Sequence, residues 1–140
     1  MDNIDENNNV RFNKLLIEFM CHVNILHFFT TILIYIKKGV LYSIPSCLVT
    51  VTSYLYWINP KQGIIRKTDE CVVHMNVAYH LYNSLKNGKE LYIILIVQIM
   101  ILLNAYSNYY YKLGEKEKAI YTHSVLVILG NIAAIIVYYN

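Results

Sequence analysis

The chain has 140 residues, of which 56% are hydrophobic and only 15% charged, with a formal net charge of +3. Soluble domains carry about 25% charged residues, so this composition speaks against an ordinary soluble domain, and the length leaves room for one compact unit. No block of like charge occurs, which indicates neither a nucleic acid partner nor a polybasic lipid switch.

The first 14 residues are rich in Asn and Asp and read as a disordered N-terminal tail. Residues 15–140 read as an all-α helical transmembrane bundle. Four apolar segments, Leu15–Ile36, Val40–Ile58, Leu91–Tyr111 and Ala119–Tyr139, hold 22, 19, 21 and 21 residues, and Glu18 is their only charged residue. About 20 helical residues at roughly 1.5 Å each cross a ~30 Å hydrocarbon layer. The first segment lacks a small-residue cleavage site, so it reads as a retained signal-anchor helix.

A fifth candidate, Ile64–Leu85, is more polar, but from Cys71 to Leu85 it holds no Asp, Glu, Lys or Arg. It is either a fifth span, at about 69–85, or an amphipathic helix lying at the interface, which would leave four spans. If it crosses, eight Lys and Arg residues fall on the N-terminal side and four on the other. Cationic loops stay in the cytoplasm, so this is the cleaner arrangement. It predicts an integral, multi-pass, five-helix protein with a cytoplasmic N-terminus. The connections are short, at Lys37-Lys38-Gly39, Asn59–Gly63, Asn87-Gly88-Lys89 and Leu113–Glu117, so consecutive helices should pack antiparallel. Tyr residues near the segment ends suit an aromatic interface belt.

Polar side chains in a bilayer should face the bundle interior. At the 3.6-residue helical period, Asp69, Asn76, His80 and Asn83 share one face, with Glu70 and His74 as a second patch. Asn24, His27 and Thr31 form a stripe on the first helix, where Glu18 and His22 are also spaced i, i+4. Ser43, Ser46, Thr50, Ser53 and Trp57 line one side of the second, which contains Pro45 and is expected to kink there. Gly130 and Ala134 form a small-residue pair on the last helix. The predicted polar interior is therefore Asn24, His27, Ser53, Asp69, Asn76, His80 and Asn83.

Imidazole and carboxylate groups are suitable zinc ligands, and His22, Asp69, His74, His80 and His123 are the candidate donors. No metal-binding spacing occurs, and His74 and His80 stand about 120° apart on a helix. The alternative is that Asp69 pairs with Arg66 and each His bonds an Asn or Ser partner. Cys21, Cys47 and Cys71 form no Cys-x-x-Cys pair and read as small hydrophobes. Phosphate loops, nucleophile elbows and selectivity-filter sequences are absent from the sequence. No cofactor is expected, zinc being the alternative.

Residues Ser53 to His80 carry Ser-x-x-x-Trp, then Asn59-Pro60, Gly63, Arg66-x-x-Asp69 and Tyr79-His80. This stretch, about a fifth of the chain, resembles a family of small, uncharacterised multi-pass proteins of large DNA viruses and some protists. The resemblance implies no known activity. A fainter similarity is to the alkaline-ceramidase-like superfamily of membrane hydrolases, which has a Ser-x-x-x-His element, an Asp on the next helix and further His ligands near the C-terminus. Ser53 and Asp69 would correspond. Trp57 replaces the His and His123 stands alone in the last helix, so the hydrolase activity is not carried over. The expectation is a structural or interaction protein, more an interaction partner than an enzyme, in contact with the lipid bilayer and with copies of itself or other membrane proteins. A divergent metal-dependent lipid hydrolase and an oligomeric channel are the alternatives.

Overall fold

The computed structural model describes residues 12–60 and 63–139. They form five helices and no strand: α1 (Lys14–Lys38), α2 (Val40–Ile58), α3 (Ile64–Lys86), α4 (Glu90–Lys112) and α5 (Lys116–Tyr138). Three of these, α1, α4 and α5, are long and apolar enough to cross a membrane. Hydroxyl and aromatic side chains lower the mean hydropathy of α2, and charged and amide side chains lower that of α3. Each expected helix is present, generally a few residues longer than its apolar segment. Capping groups and charged end residues continue the helical hydrogen bonding past the apolar run.

Of the expected tail at 1–14, residues 12–14 are described, and Lys14 opens α1. Asn13 caps α1, its side chain accepting from the Leu15 N–H at 3.1 Å. Phe12 packs on Trp57 and Tyr111, with ring centroids 5.8 and 6.0 Å away. An aromatic anchor and a cap tether these residues. The rest of the expected tail, residues 1–11, lies outside the described residues.

Gly39 alone links α1 to α2, at φ 90°. This conformation is costly for a residue with a Cβ, and here it turns the chain within one residue. Asn87-Gly88-Lys89 joins α3 to α4 in a similarly short space. Consecutive helices run antiparallel, and α1 and α5 run side by side in the same direction. Phe19 meets Tyr121 near the starts of α1 and α5, and Lys37 lies over the Tyr139 ring near their ends. The helices are arranged in the order α3, α2, α1, α5, α4. Packing is extensive at each step of that series and sparse between α3 and α4, which would close the ring. The chain runs through Pro45 without interrupting α2.

The two ends of the bundle differ. At the end holding the α3–α4 turn, Ile34, Ile93, Ala133, Ala134, Val137 and Tyr138 form a closed cluster. There Asn87 Nδ2 donates to the Val137 carbonyl at 3.0 Å, and Lys89 Nζ donates to the Ile136 and Tyr139 carbonyls at 2.6 and 3.1 Å. A second cluster, Leu16, Met20, Trp57, Ile120 and Val127, joins α1, α2 and α5 toward the opposite end. At Gly130 the helices α4 and α5 approach closely, where a Cβ would stand 3.3 Å from the Met100 side-chain tip.

Burial is inverted relative to a water-soluble domain. Asn24, Ser43, Ser46, Ser53, His80 and Asn131 are buried, whereas Leu41, Leu55, Leu91, Leu95, Ile101 and Leu102 face outward. In α4 only Ile93 is fully buried.

Lys89 neutralises the carbonyl end of α5, an interaction worth about 0.3–1 kcal/mol when exposed and up to ~2 when partly buried. Lys89→Met is expected to destabilise the bundle by about 1 kcal/mol, read as a shifted midpoint in denaturant unfolding of the reconstituted protein.

Candidate functional site

The sparse packing between α3 and α4 leaves a cavity of about 650 Å³ inside the bundle, lined by residues of all five helices. It is capped at the end where Asn87 and Lys89 tie the α3–α4 turn to α5. It continues toward the other end, where Arg66, Trp57, Tyr111 and Phe12 are among the lining residues. Between α3 and α4 the cavity becomes a slot. His74 on one side and Asn104 and Asn108 on the other line it while remaining exposed.

Three polar layers follow one another down the cavity. Nearest the Arg66 end, Asp69 Oδ1 accepts hydrogen bonds from Ser53 Oγ at 2.6 Å and Thr52 Oγ1 at 2.9 Å. Both hydroxyls come from α2, one turn before Trp57, whose ring stands 5.7 Å from that of His123. The expected Asp69–Arg66 pair does not form. Arg66 instead donates from Nε to Glu70 Oε1 at 2.7 Å. On a helix the i, i+4 position lies along the same face, and the α2 hydroxyls already hold Asp69 on the adjacent one.

The middle layer contains Asn24, His27, Asn76 and Asn131. Asn24 is only 3% exposed, and neither its Oδ1 nor its Nδ2 has a hydrogen-bond partner. Asn131 donates from Nδ2 to the Val127 carbonyl at 2.8 Å, while its Oδ1 is unpartnered. A buried carboxamide left without partners costs about 1–3 kcal/mol. Both carboxamides are closed off within the cavity wall.

At the closed end, His80 links three helices. Its Nε2 lies 3.2 Å from Ser46 Oγ on α2 and its Nδ1 3.0 Å from the Tyr138 hydroxyl on α5. A neutral imidazole donates at one ring nitrogen and accepts at the other, and a hydroxyl can complement either. This is a satisfied structural histidine. Ser43, Ser84 and Ser124 return their hydroxyls to carbonyls of the preceding turn, and Thr31 lies 3.3 Å from Thr50 across α1 and α2.

The predicted polar interior thus converges in large part. Asn24, His27, Ser53, Asp69, Asn76 and His80 all line the cavity, and Asn83 is buried just beyond it, donating to the Tyr79 carbonyl at 2.8 Å. The candidate zinc donors do not converge. Among the described residues, no three His, Cys, Asp or Glu side chains stand together as a metal would require. His22 is exposed and donates from Nδ1 to the Glu18 carbonyl at 2.6 Å. His74 donates likewise to the Glu70 carbonyl. Asp69, His80 and His123 lie at different places along the cavity with partners of their own. As placed here, these residues do not fit a single zinc ion. On α4 the slot is lined by Asn104, Ser107, Asn108 and Tyr111.

Removing Ser53 Oγ and the Asp69 carboxylate separately and together is expected to reveal coupling. A double-mutant cycle of Ser53→Ala and Asp69→Ala should give about 0.6–2 kcal/mol in unfolding free energy, the range of interhelical side-chain hydrogen bonds; a value near zero would show that the two side chains do not share a bond. Comparison with family models, curated proteins and solved structures gave no match to this chain.

Proposed function

We propose that this chain is a multi-pass integral membrane protein whose function is to bind a small molecule, or the polar head of a lipid, in the cavity between α3 and the rest of the bundle. One observation carries the reading: a cavity of about 650 Å³ opens among all five helices and is lined by polar side chains, Ser53, Asp69, Asn76 and His80 among them. A polar-lined space in a low-dielectric interior is stabilised by a molecule that hydrogen-bonds to that lining. The volume is in the range of small-molecule sites.

The membrane assignment rests on the three apolar helices and on the outward-facing Leu, Ile and Tyr side chains that surround the bundle. An apolar exterior of that extent is stable against lipid and not against water. α3 runs antiparallel to α2 over the length from Ser53–Asp69 to Ser46–His80, so it crosses with its neighbour as a fifth span. Lys14, Arg66, Lys67, Lys112, Lys116 and Lys118 then share one end, and Lys37, Lys38, Lys86 and Lys89 the other. The more basic end is cytoplasmic, and the cavity extends toward it. The slot between α3 and α4 opens sideways, toward lipid, which suits a ligand that arrives through the bilayer. The interaction role is thus one of ligand binding, with the surrounding lipid as the first partner.

The topology is tested by single cysteines in a background without Cys21, Cys47 and Cys71. In sealed vesicles, a membrane-impermeant maleimide is expected to label Cys at Lys67 and Lys116 from one side and Cys at Lys38 and Gly88 from the other. Labelling of Cys at Gly88 from the same side as Cys at Lys67 would refute the five-span arrangement.

A further inference from the structure

The lining of the cavity is not electrically balanced. Among the described residues of the lining, Asp69 and Glu70 contribute two formal negative charges and Arg66 the one formal positive charge. Arg66 is committed to Glu70 through the 2.7 Å Nε–Oε1 bond. Asp69 is served by two neutral hydroxyls, both on Oδ1, which leaves Oδ2 unengaged. A carboxylate in a low-dielectric interior is strongly stabilised by a cation and poorly by neutral donors alone.

We propose that the cavity selects an organic amine, whose ammonium group pairs with Asp69 Oδ2. This deepens the binding role argued above and rests on it. The surroundings fit this class of ligand. Trp57 and Tyr56 lie one turn beyond Ser53 on α2, and Phe12 and Tyr111 complete an aromatic rim. Aromatic faces attract ammonium groups by about 0.5–2 kcal/mol. Beyond Asp69 the walls include Val49, Val77, Val97 and Leu126, which accommodate an aliphatic body. The cavity that Asp69 lines is large enough for such a ligand, at about 650 Å³. A carboxylate-bearing ligand would face Asp69 with no unpaired cation to receive it. A neutral alcohol would gain a hydrogen bond and leave the charge uncompensated.

Trp57 is the only Trp in the chain, so its emission reports on this cavity alone. The protein is reconstituted in phosphatidylcholine vesicles and titrated with dodecylamine, dodecan-1-ol and dodecanoate, which share a chain and differ in head. Dodecylamine is expected to shift Trp57 emission at about one-tenth the membrane concentration needed for dodecan-1-ol, as a single desolvated charge pair would give, with dodecanoate weakest. Asp69→Asn is expected to bring amine and alcohol within about twofold of each other, and Asp69→Glu to retain the preference. Equal responses to the three probes in the native chain would overturn the amine assignment and leave the binding role standing. No response to any probe would overturn both. An amine preference that survives in folded Asp69→Asn would remove Asp69 as its origin. The native-chain comparison decides the matter even if Asp69→Asn does not fold.

Discussion

Inward-facing polar side chains set against an outward-facing apolar surface are the condition on which the rest of this structure depends. In water, burying apolar groups drives folding. Among helices surrounded by lipid that drive is weak, and association relies on close packing and on hydrogen bonds between polar side chains. The chain uses both. Gly130 lets α4 approach α5 to within contact of Met100. Ser46, His80 and Tyr138 join α2, α3 and α5 through two hydrogen bonds. The buried hydroxyls of Ser43, Ser84 and Ser124 are satisfied by a carbonyl one turn earlier, so these three add no unpaired group to the interior.

The cavity is a consequence of how α3 is held. On one side, Asp69 and His80 attach α3 to α2 at two levels. At one end, the short turn through Asn87 and Lys89 fastens α3 and α4 to the last carbonyls of α5. Nothing comparable joins α3 to α4 along the remainder of their length, where packing is sparse. Two helices tied at one end and each bound elsewhere leave a wedge between them. Its walls are the polar faces of α1, α2 and α5, already turned inward, together with those of the two helices that fail to close. Polar lining and open space therefore have the same origin. A bundle that closed on itself would have needed apolar or small residues at Asn104, Asn108, His74 and Asn24.

Much of this lining could be read from the sequence. The 100° spacing placed Asp69, Asn76, His80 and Asn83 on one face of α3, and the structure turns that face inward. The same holds for Ser46, Ser53 and Trp57 on α2 and for Asn24 and His27 on α1. Helical periodicity works here because the apolar faces of these helices turn outward and leave the interior to the polar ones. The partners of these residues were less accessible. Asp69 was expected on Arg66, three residues earlier in the same helix, and is held by α2 instead. His22 and His74 share the spacing of their neighbours, yet both bond a carbonyl of their own helix and join no cluster. Spacing along one helix says which way a side chain points; what it meets depends on the rotation and depth of the next helix.

The sequence by itself determined that the chain is helical, where its helices lie to within a few residues, and which of their faces are polar. Each of these follows from local quantities: the length of an apolar run, Gly and Asn at its ends, and a period of 3.6 residues. Tertiary structure alone decided that α3 stands alongside α2 in place of lying across the bundle. It also decided that α3 and α4 remain apart, that Asp69 lines a cavity while held by two α2 hydroxyls, and that Asn24 is left without partners among the described residues. These outcomes depend on distances between residues far apart in the chain, such as the 2.6 Å from Ser53 to Asp69 and the 3.0 Å from His80 to Tyr138. No single-helix pattern encodes them, because hydrogen bonds between helices are fixed by how five rigid rods share one interior.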